Sequence, residues 1–460
     1  MRWQAVGWRT VFVVAVLAAA FAGPSIPAAY GQAGGANQQA GVVVDAEGVL
    51  STKVVSDWGG RLMSERIAAA KAALAPEVSR SSKLRKISLN RLEKAIEANN
   101  GALTDEMRYL AGLWRVRHVF FYPKTGDIVI AGPAEGWATD PVGRVVGITS
   151  GRPVVQLQDL VVALRAFPPS GEAMPLIGCS IDPTEEGLAE LQRFLRSMGS
   201  YATPAQTRFI VNGLQTSLGM QTVSVDGVPA DTHFAQVMVE ADYRMKLIGI
   251  GREQPPVQMV RFIDRASPAG VSRNALLRWF FTPDYSCVRV SEDGLAMELV
   301  GDGVKLVGED EMVTAGGGRR SVTASNAASQ AFVTSFTAKY SALAERSPVY
   351  SELRNVIDLA VAAAFIQQQD YYGKSGWKME LLGDEQAVSV RTYNAPQHVA
   401  SAVNAIWKGH RLMTPIGGGV HVEPALALQP ENLLPDENGN VAALRSEIEP
   451  ELAAGQWWWD

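Results

Sequence analysis

From residue 41 the chain alternates between strand-like and helix-like spacing of its apolar positions. Val42-Val43-Val44 and 49–55, joined by Asp45-Ala46-Glu47-Gly48, predict a hairpin. Helical spacing follows at about 58–75, 88–99 and 104–112. In the second of these Ser88 is the N-cap, Leu89, Leu92 and Ile96 share a face, and Asn99-Asn100-Gly101 is the stop. Thr104 caps the third, with Asp105 and Glu106 in its first turn. A second hairpin is predicted over 116–122 and 128–131, then a strand at 144–148, a helix at 157–166 and a strand at 176–181. Asp182, Pro183 and Glu185 read as a capping box for a helix carrying Leu188, Leu191, Leu195 and Met198 and closed by Gly199.

The second half opens with a helix from Thr203-Pro204 to Leu218, ended by Gly219, and a strand-rich block over 257–307. Three helices are then predicted. One presents Phe332, Phe336, Tyr340 and Leu343; one starts at Pro348 and presents Leu353, Ile357, Ala360 and Ala364; one near 396–407 presents Val399, Val403 and Ile406. From about 424 the residues turn to Pro, Asn, Gly and Glu, the composition of a loose tail. This pattern predicts an α+β protein of two mixed domains, 41–200 and 201–422, in which short hairpins and small sheets pack with amphipathic helices. A tail over 423–460 follows, and a length of 460 residues suits two or three cores.

The first residues carry a different pattern. Arg2 and Arg9 precede an apolar run of twelve at 11–22, small residues follow, and no Asp or Glu comes before Asp45. That is a cleavable signal peptide over 1–33, with a cut between Gly23 and Gly34 and a flexible lead-in at 34–40. The longest internal apolar run, 359–366, is too short to span a bilayer, so the mature chain is expected to have no transmembrane helix and to be periplasmic or extracellular.

Composition narrows the classes. Hydrophobic residues at 47% and charged residues at 19% mark a globular protein, and a formal charge of -5 lacks the basic footprint of nucleic-acid binding. The basic cluster at 79–86 reads as a solvated loop or helix start. Cys179 and Cys287 make no disulfide framework; an oxidising compartment would let them pair, and buried free thiols are the simpler reading.

Specific chemistry is sparse. Gly373-Lys374-Ser375 has Gln368 where a phosphate-binding loop needs glycine, and HExxH, nucleophile-elbow and paired CxxC motifs are absent. Gly249-Ile250-Gly251 and Gly417-Gly418-Gly419 lack the rest of a dinucleotide fingerprint. No histidine has a second ligand at i+3 or i+4, so neither a cofactor nor a metal is predicted.

Residues 234–248 combine apolar and charged positions. On a helix, Phe234, Val237, Met238, Ala241 and Met245 form a stripe, flanked by the i,i+4 pairs Glu240–Arg244 and Asp242–Lys246. The structural expectation is an amphipathic helix with exposed pairs, in which Glu240→Gln costs well under ~1 kcal/mol. The functional expectation makes His233, Glu240 and Asp242, with Asp182, a catalytic or binding cluster. Asp358 is expected to pair with Arg354 one turn earlier.

Three stretches carry a family resemblance: residues 126–137 (GDIVIAGPAEGW), 157–165 (LQDLVVALR) and 240–246 (EADYRMK), supported by Phe336-Thr337 and 348–355 (PVYSELRN). Together they resemble a family of exported planctomycete proteins, domain of unknown function 1598, over about 40–420. The resemblance implies an envelope or extracellular setting and no particular activity. Locally, 132–164 is similar to the later half of a PDZ domain, which implies peptide binding within about 110–182, with Ala111-Gly112-Leu113-Trp114 as the carboxylate loop.

The leading expectation is therefore an exported binding or structural component of the cell envelope, its partner an envelope protein or peptide. The alternatives are a secreted hydrolase of peptide or glycan using Asp182, His233, Glu240 and Asp242, and a PDZ-like module. A cleft with converging carboxylates would favour the hydrolase; an open groove beside 157–166 would favour the PDZ-like module.

Overall fold

The computed structural model describes residues 36–198, 203–266, 275–313, 319–322, 326–404, 417–446 and 452–460. Residues 1–33, expected as a signal peptide, and Gly199 and Ile406 lie outside the described residues.

The strands in chain order begin with β1 (Ala36–Val44), β2 (Val49–Trp58), β3 (Ser82–Ser88), β4 (His118–Tyr122), β5 (Asp127–Ala134) and β6 (Trp137–Thr139). Next come β7 (Val145–Gly147), β8 (Ile177–Asp182), β9 (Met220–Asp226), β10 (Ala275–Pro283), β11 (Val288–Val290) and β12 (Ala296–Leu299). The last are β13 (Val304–Val313), β14 (Arg319–Val322), β15 (His398–Ala400), β16 (Gly418–Val422), β17 (Leu433–Pro435) and β18 (Trp458–Trp459). The longer helices are α1 (Arg61–Ala73), α2 (Leu89–Ala98), α3 (Leu157–Ala166), α4 (Glu185–Ser197) and α5 (Thr207–Leu218). They continue with α6 (His233–Gly249), α7 (Ala327–Ala338), α8 (Tyr340–Arg346), α9 (Pro348–Gln368) and α10 (Asn440–Ser446).

The fold is α+β, as the alternating pattern predicts. One mixed sheet runs β1-β2-β15-β9-β8-β16-β10-β13-β14 and a second runs β17-β11-β12-β4-β5-β3-β18, while β6 and β7 pair separately. In the first sheet β8 lies between β9 and β16, so strands from both sides of residue 200 are hydrogen-bonded neighbours.

Successive side chains of a strand point to opposite faces, so the run HVFFY in β4 demands cover on both. Val119 and Phe121 enter the main core with Ile128 and Ile130 of β5. Phe120 and Tyr122 enter a smaller cluster with Val129, Ala131, Val441 and Trp459. Residues 423–460 are therefore not a loose tail over their described part. β17 pairs with β11, β18 pairs with β3, and α10 supplies Val441 to the second face. Composition misleads there because a few apolar side chains suffice to cover a two-residue-wide face.

The basic cluster at 79–86 is solvated only in part: Arg80 and Lys83 are exposed, but its last two residues are not. Arg85 and Lys86 sit in β3, wholly buried. Arg85 donates to the carbonyls of Val78 and Ala111 and to the Asp460 carboxylate at 2.7 Å, with its guanidinium 4.5 Å from the Trp458 ring centre. Hydrogen bonding of every donor is what lets a charge be buried there.

α9 is the axis of the molecule. Every residue from Val349 to Ile366 is buried, as a helix apolar on all sides requires, and it packs against α3, α6 and α8. Its polar side chains need partners from other elements. Asp358 takes Arg115 at 2.8 Å in place of the expected Arg354, which reaches Asp302 at 3.5 Å.

Other differences are local. Ala36 to Ala40, expected as flexible lead-in, is already paired with β2. Asp182 still pairs with Thr222 in the sheet, so α4 starts later and is capped by Thr184, whose hydroxyl accepts from Gly187 N at 3.0 Å. The helix over 332–343 is two, α7 and α8, meeting at Lys339. The expected helix at 396–407 begins instead as β15, bridging β2 and β9 with Val399 fully buried. A short apolar run fits either period, and there the open slot in the sheet decides. Cys179 in β8 and Cys287 beside β11 are both buried and free. No helix among the described residues is long and apolar enough to cross a membrane.

Candidate functional site

α3 and α6 begin side by side. Thr232 caps α6 by accepting from Ala235 N at 3.2 Å and donating to Pro229 O at 2.8 Å, which fixes His233 as the first helical residue. Its imidazole Nδ1 meets both carboxylate oxygens of Asp159, in the first turn of α3, at 3.0 and 2.9 Å. An Nδ1–H donated to the carboxylate leaves Nε2 with its lone pair. Gln156 Nε2 lies 3.4 Å from that atom, and Gln158 donates to Gln156 Oε1 at 2.7 Å, which orients the nearer amide. The Tyr393 ring centre is 5.7 Å from the imidazole centre.

His233, Gln156, Gln158 and Tyr393 line a cavity of about 420 Å³, with Asp159 behind the imidazole. Gly41, Val42, Arg108, Tyr109, Arg144 and Val145 also line it. Gln236, Val237 and Glu240 continue the α6 wall, and Ser389, Thr392 and Tyr393 complete the lining. Burial alone would lower the His233 pKa, but the Asp159 carboxylate more than offsets it and holds His233 above its ordinary value.

Behind the cavity lies a chain of alternating charge. Arg144 is aimed by its turn, where Asp140 Oδ1 accepts from the N–H groups of Val142, Gly143 and Arg144. Its guanidinium bonds Glu240 of α6 at 2.5 Å and Glu352 of α9. Glu240 also meets Arg244 at 3.3 Å, and Arg244 meets Glu253 at 2.7 Å. Burial raises the pKa of Glu352 against the pull of Arg144.

The four residues singled out in the sequence divide between two places. His233 and Glu240 lie on the cavity wall. Asp242, on the opposite flank of α6 and wholly buried, takes Lys246 at 2.9 Å, and Lys246 also donates to the carbonyls of Ile181 and Gly418. Asp182 at the end of β8 pairs with Arg278 at 2.9 Å. Both i,i+4 pairs of α6 exist, but neither is exposed, because α6 is covered on its charged flanks too. Glu240→Gln would remove one carboxylate from two buried guanidinium groups that keep Glu352 and Glu253, and should cost about 1–3 kcal/mol, more than a surface pair.

Sequence reasoning missed Asp159, Arg144, Glu352 and Tyr393 as site residues. Asp159 and Glu352 did leave a signal, each being a carboxylate within a largely apolar helix (LQDLVVALRA and PVYSELRNVIDLAVAAAF). Among the described residues no group of three His, Cys, Asp or Glu could hold a metal ion. The PDZ-like reading meets a geometric obstacle. α3 is packed between α9 and α6 with eight of its ten residues buried, which leaves no open flank for an added strand. The loop Ala111-Gly112 is also consumed internally. Ala111 O accepts from Arg85 at 2.6 Å and Gly112 O from Glu135 N at 3.1 Å. Gly112 has φ +82°, and an added Cβ would fall 1.9 Å from Glu135 O.

Residues 179–262 match the family described as Protein of unknown function (DUF1598). The resemblance expected from the sequence is thus found over the segment from β8 through α6, which carries Asp182, His233, Glu240 and Asp242. No curated protein and no solved structure matches the chain.

One pH dependence follows. Burial pushes the Asp242 carboxyl up to about 6, against the pull of Lys246. A folded pKa above the unfolded value gives a contribution that is complete below about 4 and is lost as pH rises through about 6. Denaturant unfolding from pH 4 to 7 should show the stability difference between wild type and Asp242→Asn shrinking by ~1–3 kcal/mol as pH rises. A difference independent of pH would contradict this.

Proposed function

We propose that this is an exported binding protein of the cell envelope or its surroundings that takes a small polar ligand into the cavity between the starts of α3 and α6. The observation that carries the reading is His233 in the cavity wall, held from behind by Asp159. A histidine held at Nδ1 by a carboxylate, with only a long 3.4 Å contact from Gln156 at Nε2, is a preset donor or acceptor for a ligand that displaces that amide, and cavities of this size suit small molecules. The amides of Gln156, Gln158 and Gln236 add hydrogen-bonding groups beside it. Support for export comes from Arg2, Arg9 and the apolar run at 11–22.

The same pair favours a second reading, a secreted hydrolase of peptide or glycan. With Asp159 orienting the ring, Nε2 could take a proton from a water held in the cavity. Ser389 Oγ donates to Glu385 Oε1 at 3.0 Å, so water is a better nucleophile in this scheme than that hydroxyl.

A thermal-shift screen of small polar compounds separates these readings. Ligands that stabilise the wild type should fail to stabilise Leu157→Trp, whose indole fills the cavity, and should bind His233→Asn at least tenfold more weakly. Equal stabilisation of Leu157→Trp would place the ligand elsewhere and defeat the cavity reading. Conversion of a bound compound to product, lost in His233→Asn, would move the assignment to the hydrolase. For export, protein from the native host should begin between Gly23 and Gly34 on N-terminal sequencing. A chain still beginning at Met1 would contradict it.

A further inference from the structure

We propose that the cavity ligand is a small organic acid, with its carboxylate on Arg108 at the mouth and its apolar or ring-shaped body inside; this rests on the cavity reading above. The argument starts from charge. Glu240, the carboxylate that lines the cavity, is countered by Arg144 and Arg244, and Asp159 behind the wall is bonded to His233 Nδ1. Arg108 lines the same cavity, is exposed at its rim, and makes no ion pair among the described residues. Among the lining residues, the charge left without an ion pair is therefore that of Arg108. The first turns of α3 and α6 also open on the cavity, and helix starts carry partial positive charge.

Shape then separates an organic acid from an inorganic anion. The cavity of about 420 Å³ greatly exceeds what a phosphate or sulfate fills. Leu103, Val142, Val145 and Val237 give it apolar walls, and Tyr109 and Tyr393 add two rings with polar tips. A guanidinium fork pairs with a carboxylate through two parallel hydrogen bonds, which a neutral amide of the same shape cannot match. Acid and primary amide should therefore differ sharply at this site even when their bodies are identical.

Matched pairs test this directly: benzoate and benzamide, phenylacetate and phenylacetamide, hexanoate and hexanamide, each titrated calorimetrically into the mature chain. At least one acid should bind tenfold or more tightly than its amide. Arg108→Gln should reduce that acid to the level of its amide, with Arg108→Lys between the two. Because Arg108 is exposed and unpaired, both variants should keep the wild-type melting temperature, so a loss of binding is not a loss of fold. Amides binding as well as acids would overturn the proposal, as would unchanged affinity in Arg108→Gln or silence from all three acids. If neutral compounds nevertheless bind and lose binding in Leu157→Trp, the cavity reading survives and only the acid assignment falls.

Discussion

The guanidinium of Arg144, buried between Glu240 and Glu352, is the contact on which the arrangement of the site depends. It joins three segments that no backbone hydrogen bonding connects: the turn before β7, the middle of α6 and the first turns of α9. A carboxylate buried alone is costly, and removing one partner from a buried ion pair typically destabilises by about 3–5 kcal/mol. Two carboxylates sharing one arginine therefore hold both helices to the turn. Continuation through Arg244 to Glu253 gives Glu240 a second cation and extends the alternation of charge to the loop after α6. With α6 so placed, its first residue, His233, falls beside Asp159 of α3, and the space between the two helix starts becomes the cavity.

α9 follows the same logic along its length. It is apolar enough to be buried on every side, yet carries Glu352, Arg354, Asn355 and Asp358. Asn355 donates to Trp114 O at 3.0 Å, and Asp358 takes Arg115 at 2.8 Å, so the segment before β4 is tied to α9 by adjacent residues. Hydrophobic burial sets where the helix lies, and the buried polar contacts set its rotation and its neighbours. Their net contribution to stability is small compared with the cost of leaving any one of them unpaired.

Elements whose signals are local were legible in the sequence. α2 starts after Ser88 and α3 spans Leu157–Ala166, as caps and spacing predict; Thr104 caps as expected too, but the helix expected over 104–112 is only one turn, Asp105–Arg108, because Leu110 and Ala111 take positive φ. β15 and the pairing of β18 with β3 were not, because each depends on a slot formed by strands far away in the chain. The site divides in the same way. His233 and Glu240 could be picked from a charged, apolar helix, but the partners that define them come from distant segments: Asp159 lies 74 residues from His233, and Arg144 lies 96 from Glu240. The i,i+4 pairs of α6 were read correctly as pairs and wrongly as exposed, since nothing in a helix's own sequence says that its polar flanks will also be covered.

The most direct test of this account is a double-mutant cycle on Arg144→Met and Glu352→Leu, read by denaturant unfolding. Arg144→Met leaves Glu352 without its arginine and should cost about 3–5 kcal/mol, Glu352→Leu leaves Arg144 with Glu240 alone and should cost less, and the double change should cost at least ~1 kcal/mol less than the sum. Additivity within about 0.5 kcal/mol would mean that the two residues do not depend on each other and that the site is held together by something else.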